Sequence, residues 1–137
     1  MSTEDNKRVA REVWGALSSG DFAKMASLYH TDIAYHGAGG EERRGRDAAV
    51  DLARMYKTAF SDMKADVEQL VAEGDFVVSR VRPSGTHTGD LMGMAPTGKK
   101  IDLRWVMNMV RVVDGKVAEE WEIWDNADLM RQLGVSG

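Results

Sequence analysis

The dipeptide Asp114-Gly115 lies between two long runs in which apolar and polar residues alternate, Lys100 to Val113 and Lys116 to Asp125. An Asp-Gly pair tolerates the positive φ angles of a two-residue turn, so this arrangement predicts a long antiparallel hairpin and a sheet-containing fold. Gly74-Asp75 divides an earlier pair of apolar runs, ending in Val71 and beginning at Phe76, in the same way. Two turns therefore give four antiparallel strands. The first half of the chain has a helical period instead. Ser2, with Asp5 three residues later, caps a helix that spaces Val9, Val13 and Leu17 four apart and stops at Ser19-Gly20. Asp21 caps a short second helix carrying Phe22, Met25 and Leu28, and Ile33 to His36 form a short strand. From Arg46 to Phe60, residues Leu52, Met55, Tyr56, Ala59 and Phe60 share one helical stripe. A last helix runs from Ala127 to Leu133, ahead of Gly134. Helices on one side of an antiparallel sheet make an α+β architecture, and a curved sheet closed by helices leaves a cavity.

The chain of 137 residues has the length of one domain, and no linker, repeat or shift in composition divides it, so 1–137 is read as a single domain. A net charge of -4 argues against a general nucleic-acid or anionic-membrane surface. No apolar run is long enough to span a bilayer, and the acidic start Met1-Ser2-Thr3-Glu4-Asp5 lacks the pattern of a signal peptide. With no cysteine in the chain, the expectation is a cytoplasmic protein without disulfides or thiolate metal ligands. His30, His36 and His87 show no metal-ligand spacing, and the glycine-rich stretches lack phosphate-loop spacing, so neither a metal nor a nucleotide is expected.

The chemistry is expected on the last hairpin. Counting outward from the turn with Val113 opposite Lys116 puts Asn108 opposite Trp121 and Arg104 opposite Asp125. One face then carries Arg104, Val106, Asn108, Trp121, Ile123 and Asp125, a few polar groups in an apolar wall, as a small-molecule pocket requires. The other carries Trp105, Met107, Met109, Glu120, Glu122 and Trp124, too much apolar surface to leave in water, and is assigned to a subunit contact. A slip of one residue exchanges the two faces. Asp125, beside Trp121 and Ile123, is a partly desolvated carboxylate suited to proton transfer, and Arg104 would keep it ionised. The alternative for Asp125 is a cap on the last helix. His87 is either a second proton-transfer group or a loop histidine bonded to the backbone. Either Tyr35 or His36 points into the cavity, and Met55 is a candidate for its wall.

Gly85-Thr86-His87-Thr88-Gly89, followed by Gly93-Met94-Ala95-Pro96-Thr97-Gly98-Lys99, resembles a loop of the SnoaL-like polyketide cyclases, within the nuclear transport factor two and ketosteroid isomerase fold group. Asp114-Gly115-Lys116 with Glu119, Trp121 and Asp125, then Leu129 and Gln132-Leu133-Gly134, is similar to the family's final hairpin and helix. The helix-helix-strand-helix start also fits, so the resemblance covers nearly the whole chain. It implies a cone-shaped α+β barrel, its curved antiparallel sheet and N-terminal helices closing a deep apolar pocket, assembled into homodimers or homotetramers through the sheet. Cyclases of this family close a ring of an aromatic polyketide precursor by intramolecular aldol condensation, without metal or cofactor. A hydrophobic polycyclic substrate is thus implied, with Asp125 as acid/base and Asn108 where the cyclases carry a histidine. Asparagine donates a hydrogen bond but carries no proton. That departure keeps open a cofactor-independent, hydroxylase-like activity on anthracycline-type substrates, and a non-catalytic binding module of the same fold is a further reading.

Overall fold

A computed structural model describes residues 2–135. In chain order the elements are α1 (Thr3–Ser19), α2 (Phe22–Ser27), β1 (Tyr29–His36), β2 (Glu42–Arg44), α3 (Arg46–Ala59), β3 (Lys64–Glu73), β4 (Phe76–Thr86), β5 (Lys100–Asp102), β6 (Val106–Val113), β7 (Lys116–Trp124) and α4 (Asn126–Gln132). The strands form one mixed sheet in the order β2-β1-β7-β6-β4-β3, with β5 paired to β4. It is open and curved, with helices packed on its inner face, so the α+β architecture expected from the sequence is present. The strands differ from expectation in their bounds and pairing. β1 begins earlier, at Tyr29, and joins β7 in parallel, and the Lys100–Val113 run is broken at residues 103–105 into β5 and β6.

The helix starts follow their caps. Ser2 and Asp5 form the reciprocal capping box of α1, and Asp21 caps α2 through the amide of Lys24. The apolar stripe of α1 buries Val9, Ala10 and Val13 against Ile33 of β1, Val77 of β4 and Val110 of β6, which makes the main core. α3 closes a second part of the core through Ala59 and Phe60, packed with Met63, Leu103 and Leu129. The loop after β4 is stitched onto the end of α3, since the amides of Thr88 and Gly89 both donate to the carbonyl of Ala59 at 3.0 Å. A Cβ on residue 89 would lie 2.2 Å from the Thr58 carbonyl oxygen, so this approach requires glycine.

The decisive feature is the register of the last hairpin. Asp114 and Gly115 both have positive φ, 52° and 76°, and Val113 faces Lys116 as the turn dictates. Beyond Val112 opposite Val117 the register shifts, and Arg111 faces Glu119. Ala118 is the extra residue of a β-bulge, and from Glu119 onward every β7 side chain points to the face opposite the one expected. Asn108 therefore pairs with Glu122 instead of Trp121, and Val106 with Trp124. Arg104 lies before β6 and pairs with no residue of β7.

Candidate active site

A cavity opens between the inner face of the sheet and the helices. Val13 and Leu17 of α1, Leu52, Ala53 and Tyr56 of α3, and Phe60, Leu103, Val106 and Trp124 supply apolar wall. Tyr56 and Trp124 meet edge to face, with ring centroids 5.9 Å apart. A second hollow beneath Leu91, Met92 and Met94 shares Tyr56 and Leu129 with this cavity.

Into that apolar space project two carboxyl groups, those of Glu120 and Glu122. They are two residues apart on β7, so both side chains leave the same face of the strand. The Asn108 amide nitrogen donates to both, to Glu120 Oε2 at 2.8 Å and to Glu122 Oε2 at 3.2 Å. Tyr35 of β1 donates its hydroxyl to Glu122 Oε1 at 2.9 Å. No lysine, arginine or histidine lines the cavity among the described residues. Burial, reinforced by the neighbouring charge of Glu122, pushes Glu120 up to about 8 against the opposing bond from Asn108. Burial also raises Glu122, while the hydrogen bonds from Tyr35 and Asn108 favour its ionised form. The Tyr35 hydroxyl is held well above the ordinary phenol range by burial and by Glu122, so it stays a donor.

The bulge redistributes the residues expected at this site. Tyr35, Val106 and Trp124 line the cavity, and Asn108 anchors its two carboxyls. Trp121 and Ile123 do not line it. They lie on the outer face of the sheet, where Ile123 is 67% exposed and Trp121 stacks on His36 at 5.3 Å. His36 accordingly points outward, its Nε2 lying 2.8 Å from Glu119 Oε2 and its Nδ1 beside Glu42. The Glu119 hydrogen bond, aided by Glu42, raises its pKa. Asp125 is exposed at the start of α4, where its Oδ1 accepts the amide of Asp128 at 2.9 Å. That is the capping alternative, and the expected Arg104–Asp125 pairing does not form. Arg104 is exposed, and Met55 sits beside the lining residues Leu52, Ala53 and Tyr56 without lining the cavity. His87 is fully buried behind Phe60, its Nδ1 bonded to the hydroxyl and amide of Thr97, and it too is outside the cavity.

Glu120 and Glu122 are the residues that the sequence reading placed on the wrong face. A Glu-x-Glu pair within an apolar strand is the available signal, because two carboxylates side by side on a face shared with Trp124 do not make a plausible dry subunit contact.

The chain matches the model of the SnoaL-like polyketide cyclase family over residues 5–133. It is 30% identical to the aklanonic acid methyl ester cyclase DnrD of Streptomyces peucetius, over 98% of this chain and 92% of that one. Among solved structures, IdmH of Streptomyces antibioticus, a candidate polyketide cyclase, is 32% identical with a TM-score of 0.83 over 95% of this chain and 99% of that one. AclR of Streptomyces galilaeus, a candidate hydroxylase, is 29% identical with a TM-score of 0.86 over 97% of this chain and 83% of that one. With the cavity and the full-length match in agreement, the chain belongs to the SnoaL-like polyketide cyclase family.

Proposed function

We propose that this protein closes a ring of a polyketide methyl ester by intramolecular aldol condensation, with Glu122 as the base. The observation that carries the reading is the carboxyl of Glu122 in an apolar cavity, oriented by Tyr35 and Asn108. An aldol closure needs a base at a carbon whose proton is activated by neighbouring carbonyls, a donor at the accepting carbonyl, and walls that fold the substrate for attack. Glu122 supplies the first and the apolar wall the last. The wall is apolar along its length, from Val13 and Leu17 to Phe60 and Trp124, which suits a hydrophobic polycyclic ligand. The charge in the cavity supports an ester in particular: a free carboxylate would meet Glu120 and Glu122 with no cation lining the site, whereas a methyl ester brings no charge.

The similarity to AclR favours one second reading, hydroxylation of the same substrate class. Both begin with removal of a carbon-bound proton, so product mass separates them. Incubation with aklanonic acid methyl ester should yield a product of unchanged mass. A product heavier by one oxygen supports hydroxylation, and binding without turnover supports a non-catalytic module.

The outer face of the sheet is the surface we propose for a second copy of the chain. Val71, Val78, Met109 and Trp121 form a row across β3, β4, β6 and β7, flanked by the exposed Met107 and Ile123. Charges of both signs border it, Arg80 with Glu68 and Arg111 with Glu119, and such a border can match its own copy across a two-fold axis. This replaces the expected contact through Trp124, which lines the cavity.

A further inference from the structure

Glu120 has no part in the proton abstraction just described, yet it is more deeply buried than Glu122 and shares its anchor. Its side chain leaves β7 on the cavity face, its residue faces Tyr35 across the β1–β7 pairing, and it receives one bond of the Asn108 amide at 2.8 Å. Burying two ionised carboxylates side by side without a cation is costly enough that such a pair retains a proton. The groups that face the pair leave no other means of neutralisation. β1 contributes Tyr29 and Tyr35, β6 contributes Asn108, α3 contributes Tyr56, and the one further charge acting on Glu122 is that of Glu41, also negative. The hydrogen bonds decide which carboxyl keeps the proton. Glu122 accepts from both Tyr35 and Asn108, whereas among the described residues Glu120 accepts from Asn108 alone. The better-solvated anion is Glu122, so the proton resides on Glu120.

We propose that Glu120 is the proton donor of the ring closure, delivering its proton to the carbonyl oxygen that becomes the new hydroxyl while Glu122 accepts the proton from carbon. This rests on Glu122 being the base. The step balances within the pair. The C–H bond of the activated carbon breaks and its proton passes to a Glu122 oxygen. That carbon's electron pair forms the new C–C bond to the accepting carbonyl carbon, whose C=O π pair moves onto oxygen and takes the proton from Glu120. Substrate and product are isomers, and the pair ends as it began with one proton, now on Glu122. Return of that proton to Glu120, across carboxyls bonded to one Asn108 amide, restores the site without any external acid, base or oxidant. Carrying a single proton is therefore the right stoichiometry for this chemistry, and a neutral carboxylic acid in an apolar site is a competent donor.

The test uses Glu120→Gln, Glu120→Asp and Glu122→Gln in the full chain, with aklanonic acid methyl ester as substrate and melting temperature as the check on folding. Wild-type kcat should fall as pH rises through about 8, where Glu120 loses its proton. In Glu120→Gln, kcat should be about 10²-fold lower, and that alkaline limb should be absent. Glu120→Asp, which keeps an acid, should retain the limb at reduced kcat. Infrared spectra without substrate should show a protonated-carboxyl band at pH 7 that is missing in Glu120→Gln. If Glu122→Gln is inactive but Glu120→Gln turns over within about threefold of wild type, or keeps the alkaline limb, Glu120 is not the donor and the Glu122 reading stands. If Glu122→Gln retains turnover, both readings fall.

Discussion

Asn108 on β6 and Glu122 on β7 are cross-strand partners, and the amide that reaches Glu122 Oε2 at 3.2 Å also holds Glu120 Oε2 at 2.8 Å. One neutral side chain thus fixes the positions of two carboxyls without contributing a charge that would quench either. A histidine there could itself carry a proton, whereas asparagine leaves the proton inventory to the carboxyl pair.

Removing that amide should disorder the pair without emptying the cavity. Asn108→Ala deprives two buried carboxyls of a charge-assisted donor worth about 1.5–3 kcal/mol, and kcat should fall about 10- to 10²-fold with KM changed much less. Steady-state kinetics on the ester substrate checks this split. A change in KM alone would make Asn108 a substrate contact instead.

Stability should depend on pH through Glu120. Its carboxyl titrates at about 8 in the folded chain against an ordinary 4.5. Below pH 4.5 both folded and unfolded states hold the proton, and no penalty applies. Between 4.5 and 8 the unfolded chain releases the proton while the folded chain keeps it, so stability falls as pH rises through that window and levels off above it. Glu120→Gln should flatten this slope. Melting curves should show the variant equal to wild type near pH 4 and at least about 3 °C more stable near pH 8.5.

Asp125 separates capping from catalysis. Asp125→Asn preserves the acceptor for the Asp128 amide and should leave both melting temperature and turnover unchanged. Asp125→Ala removes the cap and should cost about 1 kcal/mol while sparing kcat. A loss of turnover in a folded Asp125→Asn variant would return the acid/base role to the position first read from the sequence.

The outer face predicts self-association. Sedimentation should show a dimer or tetramer at micromolar concentration, and a charge placed by Ile123→Glu should shift it toward monomer because that side chain is 67% exposed in one copy. A wild-type monomer under these conditions would contradict the assignment.

Much of this architecture was legible because local signals and tertiary structure agree. Ser2 with Asp5, Asp21 and Asp114-Gly115 act within a few residues of themselves, so α1, α2 and the last hairpin could be read directly. The site was only half legible. Tyr35 on β1 and Val106 and Asn108 on β6 belong to strands that the β7 bulge leaves unaltered, and they line or anchor the cavity as the alternation suggests. Everything on β7 beyond Ala118 was inverted, because a small residue carries no mark of being unpaired and a single insertion turns every later side chain over. His87 was read two ways. Of its two readings the structure has the loop histidine bonded to backbone, since the Thr97 amide donates to its Nδ1 and the loop folds back to bury it against Phe60.

The claim that Glu122 is the base of a ring-closing reaction is tested most directly by Glu122→Gln, which keeps the shape of the side chain and one of the two oxygens that accept from Tyr35 and Asn108 but cannot accept a proton. With aklanonic acid methyl ester as substrate, the account predicts a folded variant whose kcat is about 10²- to 10⁴-fold below wild type. A folded Glu122→Gln protein that closes the ring at near wild-type rate would contradict it.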